Sequence, residues 1–210
     1  GLSLVTGTTA MTAVIVLGTP LAYLLARRSF RGRAVVDTLV DLPMILPPAV
    51  AGITLLFVFG RRGLLGPALD VLGWQIVFTP IAVVLAQMFV AAPFYVKSAA
   101  AGFAELDREL EQAAMLDGAN AWNVFRYVTA PLAWPALVGG AVMTWARAIG
   151  EFGATIIFAG NLPGRTQTMP LAIYLGLERD LDVAVALSLI LVVASFAVLL
   201  CVKWLLRQQR

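Results

Sequence analysis

Arg147 and Glu151 stand four residues apart in an otherwise apolar stretch, a spacing that puts two side chains within reach of each other on one helical face. Ionisable groups at membrane depth are costly and face protein or a wet pathway. Three readings of the pair stay open. It is a structural ion pair locking its helix to neighbours or to a second copy of the chain. It lends positive potential to a path for an anion, with Glu151 keeping the anion from binding too tightly. Or it lies at the outer interface. Passage requires weak, transient contact, so a half-compensated arginine suits a path better than a bare one. Covalent chemistry has less to work with. Asp41 and Glu151 are the carboxylates an embedded enzyme would use, and neither has a partner at catalytic spacing. With no histidine and only Cys201, His-ligated zinc, Ser-His-Asp triads and Cys-His pairs are excluded. No phosphate-binding Gly-x-x-x-x-Gly-Lys-Ser/Thr segment occurs, so any nucleotide chemistry belongs to another chain. No catalytic residue and no metal site is expected.

Other residues invite paired readings. Pro47 and Pro48 remove two backbone donors from an apolar run, which makes a packing kink or a flexible gate beside a pathway. Gly139, Gly140, Gly150 and Gly153 suit close helix packing or the small face on which a dimer opens. Thr155 lies one turn beyond Glu151. Asn161 to Arg165, with Arg179, make either a solvated loop or a docking surface for another protein.

Composition defines the elements that position these groups. The chain of 210 residues is 60% hydrophobic and 13% charged, with mean hydropathy +0.89, where soluble domains carry about a quarter charged residues. It is an all-α polytopic membrane protein, a single domain over 1–210. A span needs roughly 20 mostly apolar residues, and five are expected, at about 2–26, 39–59, 76–96, 132–159 and 183–203. The fourth joins two short pieces, Leu132–Ala146 and Phe152–Ala159, into one helix carrying Arg147 and Glu151. The chain starts without Met, and a few native residues are expected to be missing at its front.

Lysine and arginine counts orient the spans. With the loop after the first span in the cytoplasm, ten basic residues fall on that side, among them Arg27, Lys97, Lys203, Arg207 and Arg210, against four outside, Arg61, Arg62, Arg165 and Arg179. The amino end is therefore expected outside and the carboxyl end inside. The pI near 9.4 reflects this topology rather than nucleic-acid binding.

That orientation puts residues 105–119 in the cytoplasm. Leu106, Leu110, Ala113 and Ala114 recur at three- and four-residue steps as an apolar stripe among charges. Gly118 follows as a C-terminal cap, and Asn120 is placed to cap the next helix. Such an element is either a loop helix lying on headgroups or a contact for another protein.

The spacing Gln112-Ala113-Ala114, three residues, Gly118, then Val128-Thr129-Ala130-Pro131 resembles the EAA loop of binding-protein-dependent ABC transporter permeases, Glu-Ala-Ala, three residues, Gly, nine residues, Ile-x-Leu-Pro. Gln replaces Glu, Val replaces Ile and Ala replaces Leu. Position 112 keeps hydrogen-bonding capacity and loses a charge. Glu111 is the nearest substitute, about 100° away around a helix, and shape and the apolar stripe are expected to carry more of the contact than one charge. Further stretches are similar to the family's molybdate branch: Asp41 to Gly52, Phe59 to Gly66, Ala146-Arg147-Ala148-Ile149-Gly150-Glu151, Pro163-Gly164-Arg165-Thr166-Gln167-Thr168 and Leu171 to Tyr174. The Ala-Arg-x-x-Gly-Glu core is shared with sulfate and thiosulfate permeases.

The resemblance implies a type I ABC importer permease fold with a cytoplasmic coupling helix in a loop over 105–127. It implies a homodimer in the inner membrane of a prokaryote, moving molybdate or tungstate by alternating access. The partners are an ABC ATPase dimer that uses ATP-Mg, an extracytoplasmic oxyanion-binding protein, a second copy and the lipid bilayer, with no nucleic acid and no cofactor on this chain. ATPase contact falls to Glu109, Glu111, Gln112, Ala113, Ala114, Leu116, Asp117, Gly118 and Ala119. The pathway or gate falls to Pro47, Pro48, Arg147, Gly150, Glu151 and Thr155, and binding-protein docking to Asn161, Arg165 and Arg179. A sulfate permease and a secondary transporter working alone are the alternatives. The latter needs no coupling helix and has no internal repeat to support it.

Overall fold

The computed structural model describes residues 1–207; Arg210, and the side chains of Lys203 and Arg207 counted in the topology, lie outside the described positions. Helix α1 is Leu2–Arg27, followed by α2, Arg33–Ile45, and α3, Pro48–Phe59. A short α4, Gly66–Val71, precedes the long α5, Pro80–Glu105. Then come α6, Arg108–Leu116, α7, Ala121–Val124, a π-helical turn, Phe125–Thr129, and α8, Ala130–Leu132. The chain ends with α9, Trp134–Ile149, α10, Gly153–Phe158, α11, Met169–Arg179, and α12, Leu181–Arg207. Among the described residues there is no strand.

Helix α5 is the centre, packing against α1, α2, α3, α9 and α10. Thr79 caps its start by accepting from the Ala82 N–H at 3.4 Å, and Pro80 occupies the first turn, where a missing N–H costs nothing. Its buried face is built largely of alanine and valine, Ala82, Val83, Ala86, Val90, Ala91 and Ala99. Such small side chains let helices approach closely where apolar burial alone does not drive association. Tyr95 is held by Thr19 of α1 through hydroxyls 2.6 Å apart.

Helices α1, α5 and residues Leu181–Leu200 of α12 are long and apolar enough to cross a membrane, and Ala121–Leu132 with Trp134–Ile149 forms a fourth such unit bent by 73°. The expected run at 39–59 is two helices. Pro47 and Pro48 push Leu46 and Pro47 into extended backbone, with ψ 134° and 137°. Pro48 then starts α3 in the first helical turn. The run expected at 76–96 begins later, at Pro80, and continues as helix through Glu105, nine residues past the expected end.

The expected single helix over 132–159 is broken. Helix α9 stops at Ile149 and α10 begins at Gly153. In a continuous helix the Ala154 N–H would donate to the carbonyl of Gly150; here it donates to Glu151 Oε1 at 2.8 Å. The carboxylate takes the place of the backbone acceptor, so helical periodicity over this stretch does not survive its own acidic residue. Large apolar side chains of α12, including Leu189, Val192, Val193 and Phe196, are exposed, as on a helix facing lipid or another chain.

Candidate functional site

The two helix breaks meet. Gly153 sits so close to α3 that a Cβ added there would lie 2.5 Å from Pro48 Cβ, a contact only glycine allows. Beside it, a cavity of about 190 Å³ is lined by Pro43, Met44, Leu46, Pro48, Ala51, Val90, Phe94 and Arg147. Pro48 from one break and the arginine preceding the other thus share one opening. Pro47 and Pro48 are both exposed, and of the two Pro48 lines the cavity.

Arg147 Nη1 lies 2.6 Å from Glu151 Oε2, which pairs the two residues that spacing singled out. They do not share a helix; the chain turns between them at Gly150 and Glu151. Glu151 is 1% exposed, while the Arg147 side chain is 30% exposed. The carboxylate accepts from Arg147 with one oxygen and from the Ala154 N–H with the other. Arg147 also lines the cavity. Thr155 is fully buried, and its hydroxyl has no hydrogen-bond partner among the described residues. Gln87, in the middle of α5, is also fully buried with both amide atoms unpartnered among them. The only sequence signal for Gln87 was an amide inside an apolar run.

The polar helix α6 forms a second, separate surface. Asp107 caps it by accepting from the Glu109 N–H at 2.9 Å. At its other end Ala119 N–H donates to Ala114 O at 3.0 Å and Gly118 N–H to Met115 O at 3.1 Å, the bond pair of a Schellman cap. Gly118 provides the left-handed residue, with φ +91°. Asn120 caps α7 through the Asn123 N–H at 2.8 Å, as the spacing predicts.

The faces of α6 differ from the expected stripe. Glu111 points inward and is buried, where it accepts from Arg27 Nη2 at 3.2 Å and from Thr129 Oγ1 at 2.7 Å. It is therefore not the outward substitute for the charge missing at position 112. Glu109, Gln112, Ala113, Asp117 and Gly118 are exposed, Ala114 and Ala119 half-buried. Leu110, Met115 and Leu116 expose large apolar side chains, Leu116 to 88%. Two signals went unread in the sequence. Asp37 and Asp41, four apart on α2, both hold Lys97 of α5 at 2.8 Å, so Asp41 is engaged in an ion pair. Arg27 entered only as one of many basic residues.

Arg165 and Arg179 are exposed. Asn161 is turned inward, with Nδ2 donating to Leu171 O at 3.3 Å, so it ties its loop to α11.

Known proteins resemble this chain over nearly its whole length. The family described as "Binding-protein-dependent transport system inner membrane component" matches residues 18–210. The "Molybdenum transport system permease protein ModB" of Mycobacterium tuberculosis is 45% identical over 201 residues, 95% of this chain and 75% of that protein. A protein of Chlorella vulgaris named "Probable sulfate transport system permease protein cysT" is 39% identical over 187 residues, 88% of this chain and 70% of that one. Among solved structures, an inward-facing form of the MetNI methionine ABC transporter matches with TM-score 0.74 at 18% identity, over 99% of this chain and 92% of that one. The chain shares its all-helical fold with type I ABC importer permeases. The extent of the family match and the 45% identity to the Mycobacterium tuberculosis relative place this chain in the binding-protein-dependent transport system inner membrane component family.

Proposed function

We propose that this chain is the membrane subunit of an ATP-driven importer of a tetrahedral oxyanion, molybdate or tungstate first. Two copies line the pathway, and a separate ATPase dimer with ATP-Mg drives it. The observation that carries the reading is the outer face of α6, where Leu110, Met115 and Leu116 are exposed beside Gln112 and Ala113. A short capped helix with that face outward and its acidic residue inward suits docking in a protein groove by shape and apolar contact. The lysine and arginine count supports a cytoplasmic α6 and an amino end outside. The contact between Arg27, at the end of α1, and Glu111 agrees with that count, because it brings two segments expected on one side together.

Arg147 provides the chemistry for the cargo. A guanidinium partly neutralised by Glu151, and open to a cavity between two helix breaks, attracts a dianion without holding it. The breaks at Pro47 and Gly150 form the hinge of that wall, and closure of the ATPases on ATP moves α6 so that the wall opens to one side at a time. An extracytoplasmic binding protein delivers the anion, with Arg165 and Arg179 in the docking surface. Sulfate transport is the second reading, favoured by the identity to the Chlorella vulgaris relative. The test reconstitutes the chain with its genomically adjacent ATPase and binding protein and competes labelled molybdate against sulfate. ATP-dependent uptake resistant to excess sulfate is the expected result. Equal competition by sulfate overturns the molybdate assignment, and uptake without ATP overturns the importer.

A further inference from the structure

A nine-residue helix such as α6 is marginal in water by itself, since isolated helices below roughly 12–15 residues rarely hold. What anchors it therefore decides how its displacement passes to the rest of the molecule. One carboxylate collects the anchors. Glu111 Oε1 accepts from Arg27 Nη2 at 3.2 Å and from Thr129 Oγ1 at 2.7 Å. Arg27 Nη1 also donates to Leu106 O at 3.1 Å, in the linker between α5 and α6. The side chains of Arg27 and Glu111 are 7% and 12% exposed.

The two partners of Glu111 belong to different parts of the molecule. Arg27 is the last residue of α1. Thr129 closes the π-helical turn that leads through α8 into α9, and both α1 and α9 pack on α5. Wide helical turns of this kind are rare and concentrate at functional positions. Leu110, Met115 and Leu116, on the outer side of α6, stay exposed while this contact is made. The helix thus has one face for a partner and a single buried carboxylate for its own body. A buried ion pair resists separation because parting its members leaves a charge uncompensated.

We propose that Glu111 is the positioning residue that transmits movement of α6 to the membrane helices, gripping α1 through Arg27 and the approach to α9 through Thr129. The proposal rests on the reading of α6 as the ATPase-facing helix, and two measurements separate the fate of one from the other.

The first compares amide hydrogen exchange of the purified chain alone in wild type, Glu111→Gln, Arg27→Ala and the milder Thr129→Val. Residues 108–116 and 125–129 are expected to exchange faster together, by about tenfold or more for the loss of a charge-assisted contact, with Thr129→Val shifted less in the same direction. The second uses the complex with ATPase and binding protein. Glu111→Gln is expected to keep the ATPase bound and basal ATP hydrolysis intact, while oxyanion uptake per ATP falls about tenfold or more. The exchanged pair Arg27→Glu with Glu111→Arg is expected to recover part of that ratio, which a generally weakened fold would not. Unchanged exchange in all three variants overturns the proposal, as does an uptake-to-ATP ratio equal to wild type. Loss of the ATPase from Glu111→Gln with exchange unchanged also overturns it, by assigning Glu111 to the partner interface. A wild-type chain that never retains the ATPase defeats the docking reading of α6, while the exchange comparison still decides whether Glu111 grips α1 and α9.

Discussion

Arg147 Nη1 and Glu151 Oε2 lie 2.6 Å apart although the helix ends between them, at Ile149. The same carboxylate accepts from the Ala154 N–H and starts α10. One side chain thus makes the break and neutralises the arginine beside it. The pair is lopsided, with Glu151 1% and Arg147 30% exposed.

That asymmetry predicts unequal damage. Arg147→Met leaves a buried carboxylate uncompensated and is expected to destabilise by about 3–5 kcal/mol. Glu151→Gln keeps an acceptor for Ala154 and leaves its arginine open to the cavity, so its loss of stability is expected to be smaller. Thermal unfolding in detergent ranks the two. Equal losses would show that the pair acts as one structural unit. Intact assembly with lost uptake in Glu151→Gln would put the pair in the pathway.

Gly153→Ala introduces a Cβ at 2.5 Å from Pro48 Cβ, which forces the two breaks apart. Overpacking of this kind typically costs about 1–3 kcal/mol. A lowered melting temperature is expected, with part of the loss recovered in the double variant Gly153→Ala with Pro48→Gly, which removes the Cβ that the new methyl meets. No recovery would mean that the glycine matters through its backbone instead.

Gly118 has φ +91° with open space around its missing side chain. Gly118→Ala therefore meets no clash, and its expected effect is the left-handed backbone penalty alone, about 1–2 kcal/mol. It is expected to appear as faster amide exchange in 108–116 while α9 is unchanged. A spread of the effect into α9 would contradict the local account.

Leu116, 88% exposed on α6, can be replaced without disturbing the chain's own packing. Leu116→Lys is expected to change stability by no more than about 0.5 kcal/mol and to abolish retention of the ATPase in co-purification. Full retention would remove α6 from the docking surface.

Much of the molecule was legible in the residues because membrane solvent and local backbone rules act over short stretches. Composition and apolar runs established an all-helical membrane chain, since hydrocarbon leaves few other ways to satisfy backbone groups. The interruption at Pro47, the cap at Gly118 and the cap at Asn120 followed from residues within a few positions of each feature. The spacing from Gln112 to Pro131 was enough to indicate the family. The tertiary structure decided what depended on partners far along the chain. Glu111 turned inward because Arg27, 84 residues earlier, offers a buried guanidinium, and nothing near position 111 marks that. Lys97 found Asp37 and Asp41 for the same reason. The fourth apolar stretch broke because Glu151 could take a backbone N–H and an arginine at once, and only the packing of Gly153 on Pro48 makes that break fit. Periodicity reports which faces are apolar; which polar group stays buried is settled by the partner that compensates it.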